Sequence, residues 1–188
     1  MSNEIGNQPA PDDTAGRYGV VGAFFIHHMS ELAINSGDTH RVRAAAWQAL
    51  AQAERSAEFF AFEPEGLTPA GAEQARRIRP FVELTRRVLL AQAALLTHWE
   101  NTPSDTVDPA ADGARAAFGH AIAAALASVA QQAETGFTSD HVDVRAPLAA
   151  LEAQSRRGAV TVRLEGELGL CEAFVERVEA LQRAAGTV

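Results

Sequence analysis

Arginine is the residue type in this sequence with the clearest capacity for chemistry. All 16 basic residues are arginine and none is lysine. A guanidinium group can hold a carboxylate or a phosphate through two parallel hydrogen bonds. Two interpretations are open for the arginines gathered around Pro80: surface ion pairs along one helix, or an anion site for an acidic partner or nucleic-acid phosphate. The cluster consists of Arg76, Arg77, Arg79, Arg86 and Arg87.

His27, His28 and Glu31 come nearest to a metal-ligand pattern. Their spacing places a histidine and a carboxylate one helical turn apart, where both can face one metal ion. No convincing second pair of ligand type at this spacing stands on another segment. The sequence therefore favours a core or solvated-surface role for these residues, with a metal-binding helical bundle as the minor alternative. No cofactor is predicted.

Nucleophilic catalysis has little support in the sequence. It contains no G-x-S-x-G turn and no glycine-rich phosphate loop after a strand. Cys171 falls on an apolar face, where a buried and unreactive thiol is expected. The acidic pair Glu165 and Glu167 is typical of a solvated helix face. We therefore predict that the protein is not an enzyme.

The composition limits partners and compartment. The formal net charge of −8 argues against a nucleic-acid-binding surface over the whole molecule, although it allows a local basic patch. The lone Cys171 excludes an intramolecular disulfide framework, which favours a reducing, cytoplasmic compartment. The longest uncharged apolar candidate, YGVVGAFFI, has about half the residues that a spanning helix needs. No membrane span is predicted.

Apolar residues recur at steps of three and four through most of the chain, which is the spacing of one helix face. Residues 1–16 are expected to form a flexible polar tail, and residues 17–188 a single domain. We predict an all-α fold, an antiparallel bundle of six or seven helices joined by short connections. The first helix is expected over Tyr18–Asn35, with Val21, Phe25 and Leu32 on its apolar side, and the second begins at Asp38 or Thr39 and runs to Phe60.

The stretch from Thr68 to Glu100 contains the longest regular apolar face. Thr68 followed by Pro69 is a typical helix start, because the threonine caps and the proline loses only an amide that had no partner. Pro80 removes a helical hydrogen bond and clashes with the carbonyl four residues earlier. We therefore expect a kink or break there, with a short helix to about Ile78 and a long one from Pro80 to about Glu100.

The sequence signals for the remaining helices differ in strength. Asp108 and Pro109 predict a helix that ends at Gly136, and residues 137–147 predict a loop before a short helix over Leu148–Arg157. The stretch from Val160 alternates like a strand but also continues a helical stripe to Ala185. The helix is favoured because a lone strand would have no partner, and a short strand near Val160–Leu164 is the alternative.

The segment from His40 to Trp99 resembles a known family. HRVRAAAWQALAQAERSAEFFAFEP, then a turn and RRIRPFVELTRRVLLAQAALLTHWE, is similar to the soluble helical region of FUSC-type bacterial transporters, the fusaric acid and aromatic acid exporters. The resemblance covers about a third of the chain. It implies an all-helical regulatory or scaffolding domain, since the family's membrane spans are not found in this sequence. No functional residue carries over.

Two functions follow as hypotheses. The first is a non-catalytic helical interaction or adaptor module that self-associates as a homodimer. The second is an accessory protein of a bacterial stress or DNA-damage response, binding single-stranded or junction DNA through the arginine cluster. Single-strand binding needs exposed aromatic rings between the charges. Phe81 is the one aromatic residue within the cluster, and its position predicts that it lies in the core.

Overall fold

The described part of the chain is helical. A computed structural model describes residues 39–60, 62, 68–101, 109–135, 140–157 and 161–185. Within these ranges there are five helices and no strand. They are α1 (Thr39–Phe60), α2 (Pro69–Glu100), α3 (Pro109–Thr135), α4 (Arg145–Arg157) and α5 (Thr161–Ala185). The all-α class is confirmed. The bundle of six or seven helices stays a prediction, because the predicted polar tail and the helix predicted for Tyr18–Asn35 lie outside the described residues.

The start of α2 follows the cap predicted from Thr68 and Pro69. Thr68 has extended backbone angles, and its Oγ1 accepts a hydrogen bond from the Gly71 amide at 3.0 Å. Pro69 occupies the first helical position. The threonine oxygen satisfies one of the amides that have no partner in the first turn, so this end of α2 is set by local sequence.

The break predicted at Pro80 is wrong, because α2 runs without interruption from Pro69 to Glu100. Pro80 and Arg76 are both exposed, so the carbonyl that loses its partner lies on the solvent side of the helix. Ile78 and Phe81, on either side of the proline, are both buried. The buried side chains hold both halves in place, while water can bind the carbonyl freed at the surface.

Helix α4 begins three residues earlier than the predicted Leu148. Asp143 Oδ1 accepts hydrogen bonds from the amides of Arg145 and Ala146, at 2.8 and 3.3 Å. This carboxylate caps the first turn, and Pro147 is tolerated there because amides of the first turn have no helical partner. The predicted loop therefore ends at Val144 rather than Pro147.

The helix predicted for the last segment is confirmed over residues 161–185. The alternative strand is wrong for the described part, residues 161–164. Cys171, Val175, Val178 and Leu181 are buried at helical spacing. Packing of this long stripe outweighs the strand-like alternation at its beginning, because burial of apolar area contributes more free energy than intrinsic propensity does.

Helix α5 lies at the centre of the described fold. It packs along α2 and also contacts α3 and α4, whereas α1 contacts α2 alone among the five helices. Ion pairs show that α1 and α2 are antiparallel, since Arg43 reaches Glu100 while Glu54 reaches Arg86. The largest fully buried side chains are Phe118, Leu89, Ile122, Leu126, Leu151, Leu181, Val88 and Val129.

One stretch of α3, Asp112–Ala133, is long and apolar enough by length and composition to cross a membrane. The same stretch supplies Phe118, Ile122, Leu126 and Val129 to the core. Such a helix is equally compatible with the interior of a folded domain, and the absence of a membrane span stays a prediction.

Replacing Pro80 with alanine tests how α2 tolerates this residue. We expect Pro80→Ala to raise the free energy of unfolding by about 1–3 kcal/mol, because it restores a helical hydrogen bond at an exposed position. Urea unfolding followed by circular dichroism measures the change. The neighbouring Arg79→Ala should alter stability by less than about 0.5 kcal/mol. A loss of stability in Pro80→Ala would contradict this explanation of the continuous helix.

Candidate functional site

The first part of the arginine cluster lies on the exposed side of α2. Arg76 and Arg77 both reach Glu73, with nitrogen to oxygen distances of 3.2 and 3.3 Å. Arg79 is exposed one turn after Arg76. One carboxylate thus neutralises part of the charge of two arginines at helical spacings of three and four.

The second part of the cluster is paired in the same manner. Arg87 donates to Glu83 at 3.0 Å within α2, and Arg86 lies 3.7 Å from Glu54 on α1. Exposed pairs of this kind contribute from zero to about 1 kcal/mol each. Phe81 is buried between the two parts, as predicted, and offers no stacking surface for a base. Binding of an anion by this cluster stays a prediction.

The nucleic-acid hypothesis has a direct test in the carboxylates that neutralise the cluster. If the arginines bind phosphate, Glu73→Gln with Glu83→Gln should strengthen retardation of DNA in a mobility assay at low salt, and the effect should fade as salt rises. Single-stranded, duplex and junction DNA are compared. Glu152→Gln, which changes a similar exposed pair with Arg156, is the control. Absence of retardation in every protein at low salt would remove the DNA hypothesis.

A groove of about 470 Å³ runs between α2 and α5. Its lining combines small and apolar side chains with two arginines: Arg87, Leu90, Ala91, Ala94, Leu170, Ala173 and Arg177. The small alanine side chains leave open space between the two helices. Leu90 is 51% exposed, which makes it one of the few large apolar side chains at the described surface.

The two helices bordering the groove are antiparallel. Trp99 of α2 bonds to Glu167 of α5, while Arg87 and Arg177 both line the groove further along the two helices. Residue numbers thus fall along α2 as they rise along α5, and the two arginines lie at the same end. Arg177 donates to the Ala173 carbonyl and forms no ion pair with a described carboxylate. The groove is therefore apolar along its length and is bordered at one end by Arg177 and by Arg87, which is paired with Glu83.

Glu167 connects three helices in the interior. Its side chain accepts from Arg115 of α3 at 2.7 and 2.8 Å, which is the two-bond geometry of guanidinium and carboxylate. The indole of Trp99 on α2 donates to the same carboxylate at 2.9 Å. Glu167 is only 3% exposed. The prediction that Glu165 and Glu167 form a solvated face is therefore wrong for Glu167.

The protonation of Glu167 follows from these contacts. Burial alone raises the pKa of a carboxylic acid, but the hydrogen bonds and positive charge of Arg115, with the Trp99 indole, outweigh it and hold the pKa of Glu167 below its usual value. The same pairing raises the pKa of Arg115. Arg115 and Glu167 are thus both ionised at neutral pH, and neither holds a labile proton for acid or base catalysis.

Cys171 lies one turn after Glu167 and is fully buried. Burial, together with the negative charge of Glu167, raises the pKa of the Cys171 thiol to about 12. A protonated and inaccessible thiol is neither a nucleophile nor a good metal ligand.

Sequence reasoning missed Glu167 and Arg115. The available signal was the position of Glu167 one turn before Cys171, on the edge of the apolar stripe of α5. A carboxylate at such a position requires a cation from another helix. Nothing in the sequence shows which of the 16 arginines supplies it.

Metal ligands do not gather in the described part of the chain, where no group of three or more His, Cys, Asp or Glu side chains is placed to hold an ion. The predicted candidates His27, His28 and Glu31 lie outside the described residues. The metal-binding alternative therefore stays a prediction.

Comparison of the chain with protein families, with curated proteins and with solved structures gives no match. The resemblance to the helical region of FUSC-type proteins is accordingly neither supported nor contradicted.

Removal of the buried Glu167 carboxylate should destabilise the folded protein. We expect Glu167→Gln to lower the free energy of unfolding at pH 7 by about 1–3 kcal/mol, because Arg115 loses its two bonds to the buried carboxylate and keeps only an exposed carboxylate as its charged partner. Asp112 pairs with the same arginine at 3.1 Å from an exposed position. Asp112→Asn is therefore the matched control, with an expected loss below about 1 kcal/mol. Equal losses in the two variants would contradict a dominant role for Glu167.

The depressed pKa of Glu167 also predicts a pH dependence. Its contribution to stability is complete above the pKa of the unfolded state and is lost as the pH falls through the lower folded-state pKa. The stability difference between wild type and Glu167→Gln should therefore shrink as the pH falls below about 4.5. Urea unfolding of both proteins at about five pH values between about pH 3 and pH 7 measures this stability difference. A difference that grows in acid would have the wrong sign.

Proposed function

We propose that this protein is a non-catalytic helical interaction module that self-associates through the α2–α5 groove. The proposal depends on one observation: the side chain of Leu90 is half-exposed at the edge of a groove whose lining includes three alanines. A large apolar side chain next to a hole between helices is the arrangement by which helices of two protein molecules interlock. The occupant we assign is a second copy of this chain.

The groove suits a two-fold interface because the projecting side chain, Leu90, and the space that could receive it lie on the same surface. In such an interface each copy presents the same patch, so that Leu90 of one copy can enter the groove of the other. An antiparallel crossing of the two α2 helices centred on Leu90 places Arg87 near the level of Ala93 and Ala94 of the other helix. Like charges then do not face one another, and the alanines permit a close approach of the two backbones.

Chemistry at the described sites supports binding rather than catalysis. The carboxylate of Glu167 is fully engaged by Arg115 and Trp99, and Cys171 is a buried thiol. Arg177, at one end of the groove, can hold a carboxylate of a second copy, whose net charge is −8. A homodimer, or an adaptor built on it, is the function that these contacts favour.

A charge placed in the groove should abolish self-association. For wild type, we expect the weight-average mass in sedimentation equilibrium to rise toward the dimer as concentration increases. Leu90→Glu should stay monomeric, because its carboxylate would be desolvated at the centre of the interface. Thr97→Glu, at an exposed position seven residues further along α2, controls for added charge. A wild-type mass that remains monomeric up to about 1 mM, where Kd corresponds to only about −4 kcal/mol, would overturn the proposal.

A further inference from the structure

The α2–α5 groove alone offers little area for a stable dimer. Each partner in a standard interface buries about 800 Å², and Leu90 is the one groove residue among the exposed large apolar side chains of the described helices. We infer that the interface with the second copy extends from the groove across α2 to α1, where Trp47 of each copy stacks on the Arg86 guanidinium of the other. This inference rests on the proposed self-association.

Trp47 and Leu90 lie on the same side of the α1–α2 pair. Glu54 of α1 reaches Arg86 of α2, so these two side chains point to the same edge between the helices. Trp47 precedes Glu54 by seven residues, which is close to two full turns and therefore the same face of α1. Leu90 follows Arg86 by four residues, one turn along the same face of α2. An exposed tryptophan and an exposed leucine thus border one surface.

The space between these two side chains is occupied by small residues. Ala51 follows Trp47 by one turn on α1, and Ala93 and Ala94 lie about one turn after Leu90 on α2. All three alanines are at least partly exposed. Small side chains permit a close approach of another helix pair, and tryptophan is among the residue types that contribute most to binding energy at interfaces.

The two-fold relation predicts what Trp47 meets. Glu54 lies opposite Arg86 in the antiparallel pair, so Trp47, two turns earlier on α1, lies about 10 Å further along α2, level with Ala93. A two-fold axis at the level of Leu90 brings residues three places after it in one copy to the level of residues three places before it in the other. The axis runs across the helices, so the α1 sides of the two copies face each other. Trp47 therefore comes within one residue of the level of Arg86 in the second copy.

Arg86 is suited to receive an indole ring. Its side chain is 52% exposed, and its ion pair with Glu54 is long, at 3.7 Å. A guanidinium group can bind a carboxylate through the N–H groups in its plane while its face stacks on an aromatic ring. Stacking on Trp47 of the second copy is therefore compatible with the ion pair inside the first. Each contact occurs twice in a two-fold dimer, which doubles the free-energy effect of each substitution.

Exposed aromatic area alone does not define this surface. Phe59, also on α1, is 67% exposed, whereas Trp47 is 36% exposed. Phe59 follows Glu54 by five residues, which places it about 140° around the helix from that side chain. It therefore points away from the surface that contains Leu90, and it serves as the matched control for Trp47.

Sedimentation equilibrium of the full chain tests the contact. Trp47→Ala should raise the dimer dissociation constant by at least about 30-fold, whereas Phe59→Ala should change it by less than about three-fold. Arg86→Ala should raise it by about 5- to 50-fold, because both stacking contacts are lost. Glu54→Gln removes the same ion pair but keeps the guanidinium group, so it should change the constant by less than about three-fold. Equal effects of Trp47→Ala and Phe59→Ala would overturn the inference.

Acrylamide quenching of tryptophan fluorescence tests the same surface without substituting Trp47. As the wild-type concentration rises through the dimer dissociation constant, Trp47 should lose most of its quenching, because the second copy excludes the quencher. The Trp99 indole is bonded to Glu167 within one copy and supplies a constant background. Leu90→Glu, which stays monomeric, should show no such change with concentration.

Failure of this inference differs from failure of the proposed function. A wild-type mass that remains monomeric up to about 1 mM refutes self-association and this contact together. A dimer whose dissociation constant is unchanged in Trp47→Ala, or whose formation leaves acrylamide quenching unchanged, refutes the contact of Trp47 with the second copy and leaves self-association in place.

Discussion

The buried pair of Arg115 and Glu167 is the interaction on which the arrangement of the described helices depends. It joins α3 to α5, and the indole of Trp99 adds α2 to the same carboxylate. Alanine-rich helices have few large side chains to fix their register, and one charged group that must be satisfied in the interior supplies that specificity. The pair therefore favours the meeting of these faces, while burial of the apolar core, including Phe118, Ile122 and Leu126, supplies stabilising area.

The α2–α5 groove is a consequence of the same arrangement. Trp99 and Glu167 bring one end of the two helices together, and further along the alanines at 91, 94 and 173 leave the space unfilled. A surface with these properties has a function only if something covers it. The occupant that we propose is a second copy of this chain, which would present Leu90 to the groove.

In α2, around Pro80 and the arginine cluster, some features are determined by neighbouring residues in the sequence and others by contacts with the rest of the fold. Pro80 removes a hydrogen bond on the exposed side, and the buried Ile78 and Phe81 keep α2 continuous through it. The arginines around it are held by Glu73, Glu83 and Glu54. Two of these carboxylates lie on α2 itself and were visible at helical spacing, whereas Glu54 comes from α1 and was not.

Local sequence was enough to predict the helical class, the cap formed by Thr68 and Pro69, and the core position of Phe81, because these depend on periodicity and on contacts within a few residues. Packing of the helices decided that α2 passes through Pro80, that Glu167 is buried, and that Arg115 is its partner. The burial of Glu167 depends on residues far apart in the chain, such as Trp99, which lies 68 positions away. The local sequence pattern does not indicate which distant side chains come into contact. The buried pair and the groove beside it could therefore be identified only from the packing of the helices.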